Sequence, residues 1–125
     1  MACVLVVDDE PSVTSLPAYF FRLRGCKILT ASPGEEALTV LGQRTADIVL
    51  LDVEMPGMGG IATLRRIREL KPRLPVIIVS WPSDVEKVMA ALDAGATDYV
   101  SKPFNFGYLE TVISTVMLQP ERYDS

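Results

Sequence analysis

The sequence predicts an α/β protein built on a parallel sheet with helices on both of its faces. Five short apolar runs are typical of strands, and they alternate along the chain with five segments whose apolar residues recur at helical spacing. Because strands that alternate with helices are joined by right-handed crossovers, the sheet should be parallel and covered on both sides. The 125 residues suffice for one domain with one core. The spacing leaves the strand order open.

The first half of the chain supplies three of the strands and two of the helices. A helix is predicted from Pro11 to about Gly25, and a second begins with a capping box at Ser32 to Glu35 and runs to about Gln43. The strands are predicted at Cys3–Val7, Cys26–Ala31 and Ala46–Asp52. The third strand ends in an aspartate followed by a Pro/Gly loop, which is an unusual place for a charge because a buried carboxylate without a partner is costly.

The second half of the chain alternates in the same way. Two further strands are predicted at Pro75–Ser80 and Thr97–Ser101. The inward faces of three helices are predicted at Ile61, Leu64, Ile67 and Leu70, then at Val85, Val88, Met89 and Leu92, and finally at Leu109, Val112, Ile113 and Val116. Gly95 should end the middle helix of these three. Arg65, Arg66 and Arg68 are predicted on the outer side of the first, where a solvated face is the main interpretation and a docking patch the alternative.

Composition and charge exclude several classes of function. The net charge of −4 and the lack of a basic stripe argue against direct nucleic-acid binding. The chain contains no histidine, which excludes histidine-based catalysis and histidine metal sites. Its start has none of the features of a signal peptide, and no apolar run reaches membrane-spanning length. We therefore expect a soluble cytoplasmic domain that makes no membrane contact.

Polar residues collect at the carboxyl ends of four predicted strands. Asp8 and Asp9 follow the first strand, Asp52 ends the third, Ser80 ends the fourth, and Lys102 follows the fifth. In parallel sheets the site lies at this edge. Clustered carboxylates repel one another unless a cation compensates, and a hard divalent ion such as Mg²⁺ suits oxygen ligands. Together with the Lys102 ammonium, such a site suits a phosphoryl group, toward which a carboxylate can act as nucleophile.

Each of these residues also has a purely structural interpretation. Asp9 could cap the first helix, Ser80 could be an ordinary turn residue, and Lys102 could be solvated. Their joint occurrence at four strand ends favours the functional interpretation.

Three motifs resemble the receiver domain of two-component response regulators. They are Val6-Val7-Asp8-Asp9-Glu10-Pro11, Leu51-Asp52-Val53-Glu54-Met55-Pro56-Gly57-Met58-Gly59-Gly60 and Asp98-Tyr99-Val100-Ser101-Lys102-Pro103-Phe104. The resemblance covers residues 1–118 as a receiver domain and leaves 119–125 as a polar tail or linker stub. It implies a flavodoxin-like (βα)5 three-layer sandwich whose five-stranded parallel sheet has the order 2-1-3-4-5.

The resemblance also implies a role for each residue at the strand ends. Asp52 would be the phospho-acceptor nucleophile, and Ser80 and Lys102 would hold the phosphoryl group. The ligands of Mg²⁺, or of Mn²⁺ in its place, would be Asp9, Asp52 and the backbone carbonyl of Glu54. Asp8 would contribute to the metal site through water.

A switch and a set of partners follow from the same resemblance. Tyr99 matches the aromatic switch residue, which would turn inward when Ser80 moves to the phosphate and would reshape the surface of the fourth helix, fifth strand and fifth helix. The phosphoryl donor would be a histidine kinase or histidine phosphotransfer domain, and the output would go to an effector domain or protein. A homodimer through that same surface is a further arrangement that the family allows.

We interpret Trp81 and Glu54 as residues that modify access to the phosphorylation site. Trp81 follows Ser80 where the family usually has a small residue, and the indole could restrict entry of the donor or of water. It could equally lie flat on a neighbouring helix. Glu54 could compete for the metal or repel the phosphoryl group, or it could point into solvent.

Alternative functions remain open from the sequence alone. The main one is a receiver-like protein-binding module that works without phosphorylation. A phosphohydrolase would usually carry an aspartate where Glu54 stands, and a nucleotide or flavin binder would need a phosphate loop in place of Asp8-Asp9-Glu10. Whether the chain counts as an enzyme is also open, since its activity would amount at most to self-phosphorylation from a phosphodonor and slow self-dephosphorylation.

Overall fold

The computed structural model describes residues 3–8, 27–32, 34–52, 59–80, 85–101 and 106–117. The strands are β1 (Cys3–Val7), β2 (Lys27–Ala31), β3 (Ile48–Asp52), β4 (Val76–Ser80) and β5 (Asp98–Ser101). The helices are α1 (Glu35–Gln43), α2 (Gly59–Leu70), α3 (Val85–Asp93) and α4 (Phe106–Met117). The first predicted helix lies outside the described residues, so α1 to α4 correspond to the second to fifth predicted helices.

The five strands form one parallel sheet in the order β2-β1-β3-β4-β5, which confirms the predicted fold. The register pairs Val7 with Leu51 between β1 and β3, and Asp52 with Val79 between β3 and β4. From β1 the chain moves to one side to form β2 and then to the other side to form β3. The strand order therefore reverses at β1, and the carboxyl ends of β1 and β3 flank this switch point.

Two apolar clusters lie on opposite faces of the sheet because alternate residues of each strand point to opposite sides. One cluster packs Leu5 and Val7 of β1 with buried residues of α1, α2 and α3. The other packs Val4 and Val6 with Leu109 and other buried residues of α4. The inner strands consequently read as continuous apolar runs, as strands covered on both faces do.

The beginning of α1 differs from the predicted capping box. The helix begins at Glu35 with Gly34 as its N-cap, in a conformation with φ of 83° and no side-chain cap. The backbone N–H of Ser32 donates to a carboxylate oxygen of Glu36 at 2.8 Å. A carboxylate thus bonds back to the N–H of Ser32 as in a capping box, but it belongs to Glu36 and not to Glu35. The helix starts further along the chain than the prediction from Ser32 implied.

Arg68 of α2 corrects the prediction that this arginine is solvated. Its Nε donates to the carbonyl oxygen of Gly95 at 3.0 Å, and its Nη1 donates to the carbonyl of Leu74 at 2.7 Å. Nη1 also lies 3.1 Å from the carbonyls of Lys71 and Pro72. One guanidinium therefore joins the end of α2, the segment before β4 and the turn after α3.

Gly95 ends α3, as the sequence predicts, and the turn there is a Schellman motif. The N–H of Ala96 donates to the carbonyl of Ala91, and the N–H of Gly95 donates to that of Leu92. Gly95 has φ of 108°, and a Cβ there would lie 3.0 Å from Cγ of Arg68. Both its conformation and its contact with Arg68 thus favour glycine.

The predicted inward face of α3 is wrong at three of its four residues, and only Val88 packs against the core as predicted. Val85, Met89 and Leu92 are exposed at 62%, 57% and 37%, whereas Ala91 is fully buried. Val88, Ala90 and Ala94 pack partly against the core. The helix therefore approaches the sheet with its small residues and leaves large apolar side chains in contact with solvent. Leu70, also predicted inward, is 51% exposed at the end of α2.

We expect Arg68→Met to lower the free energy of unfolding by about 2 kcal/mol or more. Hydrogen bonds from a charged donor are worth about 1.5–3 kcal/mol, and the substitution removes several of them while keeping an apolar stem of similar length. Urea unfolding followed by circular dichroism measures the change. Arg65→Met at an exposed position of the same helix is the matched control and should change the free energy by less than about 0.5 kcal/mol. Equal effects at the two positions would contradict the role of Arg68.

Candidate functional site

The first carboxylate of the candidate site lies directly after β1. The backbone N–H of Asp8 donates to the carbonyl of Ala31 at 3.1 Å, which continues the pairing with β2 by one residue. Asp8 is half-buried, whereas the preceding Val7 is fully buried. Asp8 therefore carries its carboxylate at the edge of the sheet, directly where the buried strand β1 ends.

The second carboxylate ends the central strand. Asp52 is the last residue of β3 and is half-buried, while the residues before it in the strand are buried. Because Val7 pairs with Leu51, Asp8 and Asp52 are the next residues at the same level of the two neighbouring strands. The register therefore brings these two carboxylates to the switch point of the sheet.

The ends of β4 and β5 reach the same edge. Asp52 pairs with Val79, so Ser80 lies one residue beyond Asp52 on the neighbouring strand. Ser80 in turn pairs with Ser101, the residue before Lys102 in the sequence. The backbone register thus supports the predicted convergence of the four strand ends on one edge.

Several predicted site residues lie outside the described residues. These are Asp9, Glu54, Trp81 and Lys102, and the side chain of Ser80 belongs with them. Among the side chains that the structure describes, no group of three or more acidic, histidine or cysteine residues could hold a metal ion. The predicted metal site draws on Asp9 and the Glu54 carbonyl in addition to Asp8 and Asp52, so its ligand set stays a prediction.

Tyr99 lies on β5 at the edge of the sheet and is 44% exposed. Its backbone N–H donates to Oδ1 of Asp98 at 2.8 Å. The side chain is therefore outside the core, and an inward turn of the ring would change its exposure. The proposed switch of Tyr99 stays a prediction.

Several of the large exposed apolar side chains are ones that helical periodicity predicted to face the core. Among the described residues, all but Leu70 lie on α3, β5 and α4. They are Val85, Met89, Leu92, Tyr99 and Tyr108. The helices and strand predicted to form the output surface are thus the elements that present apolar side chains to solvent. Ala90, Ala91 and Ala94 pack against the core, and these small residues were the sequence signal that could have identified the inward face of α3.

A family model for the response regulator receiver domain matches residues 4–114. The chain belongs to the response regulator receiver domain family. Receiver domains of this family bind Mg²⁺ for phosphorylation and interact with histidine kinases and effector domains. The family assignment supports a phospho-accepting signalling switch, and none of the comparisons favours a receiver-like module that works without phosphate.

Similar sequences include longer regulatory proteins. The receiver domain is 40% identical over 102 residues to TcrX of Mycobacterium tuberculosis, a match that covers 82% of this chain and 44% of TcrX. It is 37% identical over 122 residues to the transcriptional regulatory protein ZraR of Escherichia coli O157:H7, covering 98% of this chain and 28% of ZraR. The chain thus spans less than half of the length of these relatives.

Solved structures share the fold. The receiver domain of NtrX from Brucella abortus matches with a TM-score of 0.84 and 32% identity, covering 91% of this chain and 97% of the other. A response regulator receiver domain protein from Clostridium thermocellum matches with a TM-score of 0.85 and 29% identity, covering 94% of each chain. Each helix among the described residues falls short of the combined length and apolar content that a membrane-spanning helix needs.

We expect Asp8→Asn to weaken Mg²⁺ binding by about 10- to 100-fold, because the loss of a carboxylate that holds a metal-bound water has effects of that size. Isothermal titration calorimetry with MgCl₂ measures the affinity. Asp93→Asn, at the exposed end of α3, removes the same charge elsewhere and should leave the affinity unchanged. Unchanged Mg²⁺ affinity in Asp8→Asn would show that Asp8 takes no part in the metal site.

Proposed function

We propose that this receiver domain takes a phosphoryl group onto Asp52 from a partner histidine kinase or histidine phosphotransfer domain. The observation that supports this most is the position of Asp52 at the end of the central strand, level with Asp8 across the switch point of the sheet. Asp52 pairs with Val79 of β4, and Leu51 before it pairs with Val7 of β1, so the backbone that carries the attacking carboxylate is restricted in its orientation.

The transfer exchanges one bond to phosphorus for another. A carboxylate oxygen of Asp52 attacks the phosphorus of the donor phosphohistidine, the phosphorus–nitrogen bond breaks, and its electron pair returns to the imidazole, which takes up a proton. The product is an acyl phosphate. Since these 125 residues contain no histidine, the donor imidazole lies outside them.

Two sets of residues would stabilise the charge that moves through this transfer. Asp9, Asp52 and the backbone carbonyl of Glu54 would hold Mg²⁺ or Mn²⁺, with Asp8 acting through water. A bound ion of this kind neutralises charge on the phosphoryl oxygens and between the carboxylates. The Lys102 ammonium and the Ser80 hydroxyl would donate to the remaining oxygens.

The readout would pass through the exposed apolar surface of α3, β5 and α4. Movement of Ser80 toward the phosphoryl group would free the space into which Tyr99 turns, and this would change the surface offered to an effector. A homodimer through this surface stays one form that the output could take. The domain limits at residues 1–118, with a tail at 119–125, belong to the same proposal.

The setting of the complete protein is also proposed from its relatives. ZraR is described as a transcriptional regulatory protein, so an effector acting in transcription is the output we propose for a protein that contains this receiver. Nucleic-acid contact would then fall to the effector, while the acidic receiver itself makes none. A cytoplasmic location of the receiver belongs to the same proposal.

Asp52→Asn should abolish phosphorylation because an amide is a far weaker nucleophile than a carboxylate. After incubation with acetyl phosphate and Mg²⁺, intact-protein mass spectrometry should find one added phosphoryl group on the wild type and none on the variant. Asp93→Asn should be modified like the wild type. Phosphorylation that persists in Asp52→Asn would move the acceptor to another residue, and an unmodified wild type would support a module that works without phosphate.

Replacing Trp81 with alanine should accelerate both phosphorylation by acetyl phosphate and loss of the phosphoryl group several-fold. The physical reason is that a large indole next to Ser80 in the sequence restricts the approach of small donors and of water. Both rates can be followed by mass spectrometry or by electrophoresis that separates the phosphorylated form. If neither rate changes, Trp81 does not control access.

Glu54→Gln tests the second modifier in the same assay, where an unchanged rate would assign Glu54 to solvent.

A further inference from the structure

Thr63 of α2 is a buried polar residue that the proposed transfer to Asp52 does not use. It is 2% exposed, and it is the one polar residue in the described ranges whose burial is this complete. A buried hydroxyl is costly unless it is hydrogen-bonded, and the buried Leu64 and Ile67 show that this side of α2 otherwise packs with apolar residues. The hydroxyl at this position therefore calls for an explanation in its hydrogen bonds.

The Thr63 hydroxyl makes two hydrogen bonds to the backbone. It donates to the carbonyl of Gly59 at 2.6 Å and accepts the N–H of Gly34 at 2.8 Å. The first bond is one that any threonine in a helix can make, because it reaches the carbonyl four residues back. Thr111 of α4 makes the same bond to Gly107 at 3.0 Å. The bond from Gly34 is different, because it joins α2 to the turn that begins α1.

Both backbone partners of Thr63 lie toward the edge of the sheet that carries the site, because α1 and α2 each follow a strand of the parallel sheet. Gly34 comes shortly after β2, whose last residue accepts the backbone N–H of Asp8 at 3.1 Å. Gly59 is the first residue of α2, the helix that follows Asp52 in the sequence. The hydroxyl thus joins the segment beside Asp8 to the helix that comes after the acceptor.

We propose that Thr63 is a positioning residue for the phosphorylation site, whose hydroxyl holds the start of α2 at a set distance from the end of β2. The inference rests on the proposed function, in which Asp8 and the Glu54 carbonyl both act on the metal ion. Asp8 is bonded to the end of β2, and Glu54 belongs to the chain that leads into α2, so the spacing of these segments limits the spacing of the two groups. Thr63 acts through the backbone at Gly34 and Gly59, and not by contact with the metal ion or the phosphoryl group.

Thr63→Val tests the proposal because valine keeps the shape of the side chain and removes the hydroxyl. The variant should bind Mg²⁺ about 10-fold more weakly in isothermal titration calorimetry, at the lower end of the effects of removing a group behind a metal ligand. Phosphorylation by acetyl phosphate should slow by about 10-fold, since misplacement within a site has costs of this order. The Gly34 amide should lose protection from hydrogen exchange, measured by NMR. Thr63→Ser retains the hydroxyl and should restore all three properties to nearly wild-type values.

Two control variants separate positioning from a general loss of stability. Thr63→Val leaves the Gly34 N–H without its acceptor, so its melting temperature should also fall. Ile67→Val, at a buried position of the same helix, lowers the melting temperature through a small cavity and touches neither hydrogen bond. Thr111→Val removes the bond to the carbonyl four residues back on an exposed side of α4. Both controls should bind Mg²⁺ and accept the phosphoryl group like the wild type.

Three results would overturn the role of Thr63 and leave Asp52 as the acceptor. They are wild-type Mg²⁺ affinity and phosphorylation rate in Thr63→Val, equal losses in Thr63→Val and Ile67→Val, and a serine variant as defective as the valine variant. The second result would assign Thr63 to stability alone, and the third would assign its effect to the methyl group. A wild type that binds no Mg²⁺ and takes up no phosphoryl group would instead overturn the proposed function, and this inference with it.

Discussion

The parallel ladder of β1, β3 and β4 is the constraint on which the rest of this receiver domain depends. These strands are covered by helices on both faces, so they can contain little but apolar residues along their length. A carboxylate inside this ladder would carry the full cost of desolvation. Charge can therefore enter only where a strand ends, and the parallel direction brings all such ends to one edge. The location of the chemistry follows from the direction of the strands.

The opposite edge of the sheet has a different role. There the N–H of Cys3 donates to the Asp47 carboxylate at 2.7 Å, and the N–H of Thr97 donates to the carbonyl of Val76 at 2.8 Å. Arg68 adds its bonds to the carbonyl of Gly95 after α3 and to that of Leu74 before β4. Loops at this edge are thus fixed to strands and helices by hydrogen bonds.

Sequence patterns predicted the strands well and the contacts between elements poorly. Each apolar run became a strand, since a buried strand needs little more than apolar side chains and turn residues at its ends. The strand order came from resemblance to a family, because pairing between distant strands leaves no local trace. Asp8 and Asp52 were predicted as site residues from their place after apolar runs. That these two residues lie at the same level of β1 and β3 depends on the strand register, which only the structure provides.

Two residues show why helix faces are harder to predict. Arg68 has the sequence context of a solvated arginine, and the carbonyls that it binds belong to turns whose position depends on the tertiary fold. On α3, periodicity selected the largest hydrophobic residues as the inward face, but Ala91 is the buried residue. A period of 3.6 residues identifies apolar residues that share one face of a helix. It does not determine which face packs on the sheet when alanines on the other side allow a close approach.

The misplaced face of α3 bears on how a receiver can transmit a signal. Hydrophobic stabilisation scales with the apolar area removed from water, at about 25 cal/mol per Å². A helix that buries one alanine completely has little such area to lose when it shifts, whereas α4 buries four large apolar side chains. The Schellman turn and Arg68 hold the far end of α3, and its near end follows the segment after Ser80. Under the proposed function, the energy of binding a phosphoryl group at Ser80 would act on α3, which is less costly to displace than α4, and α4 would keep the sheet in place beneath it.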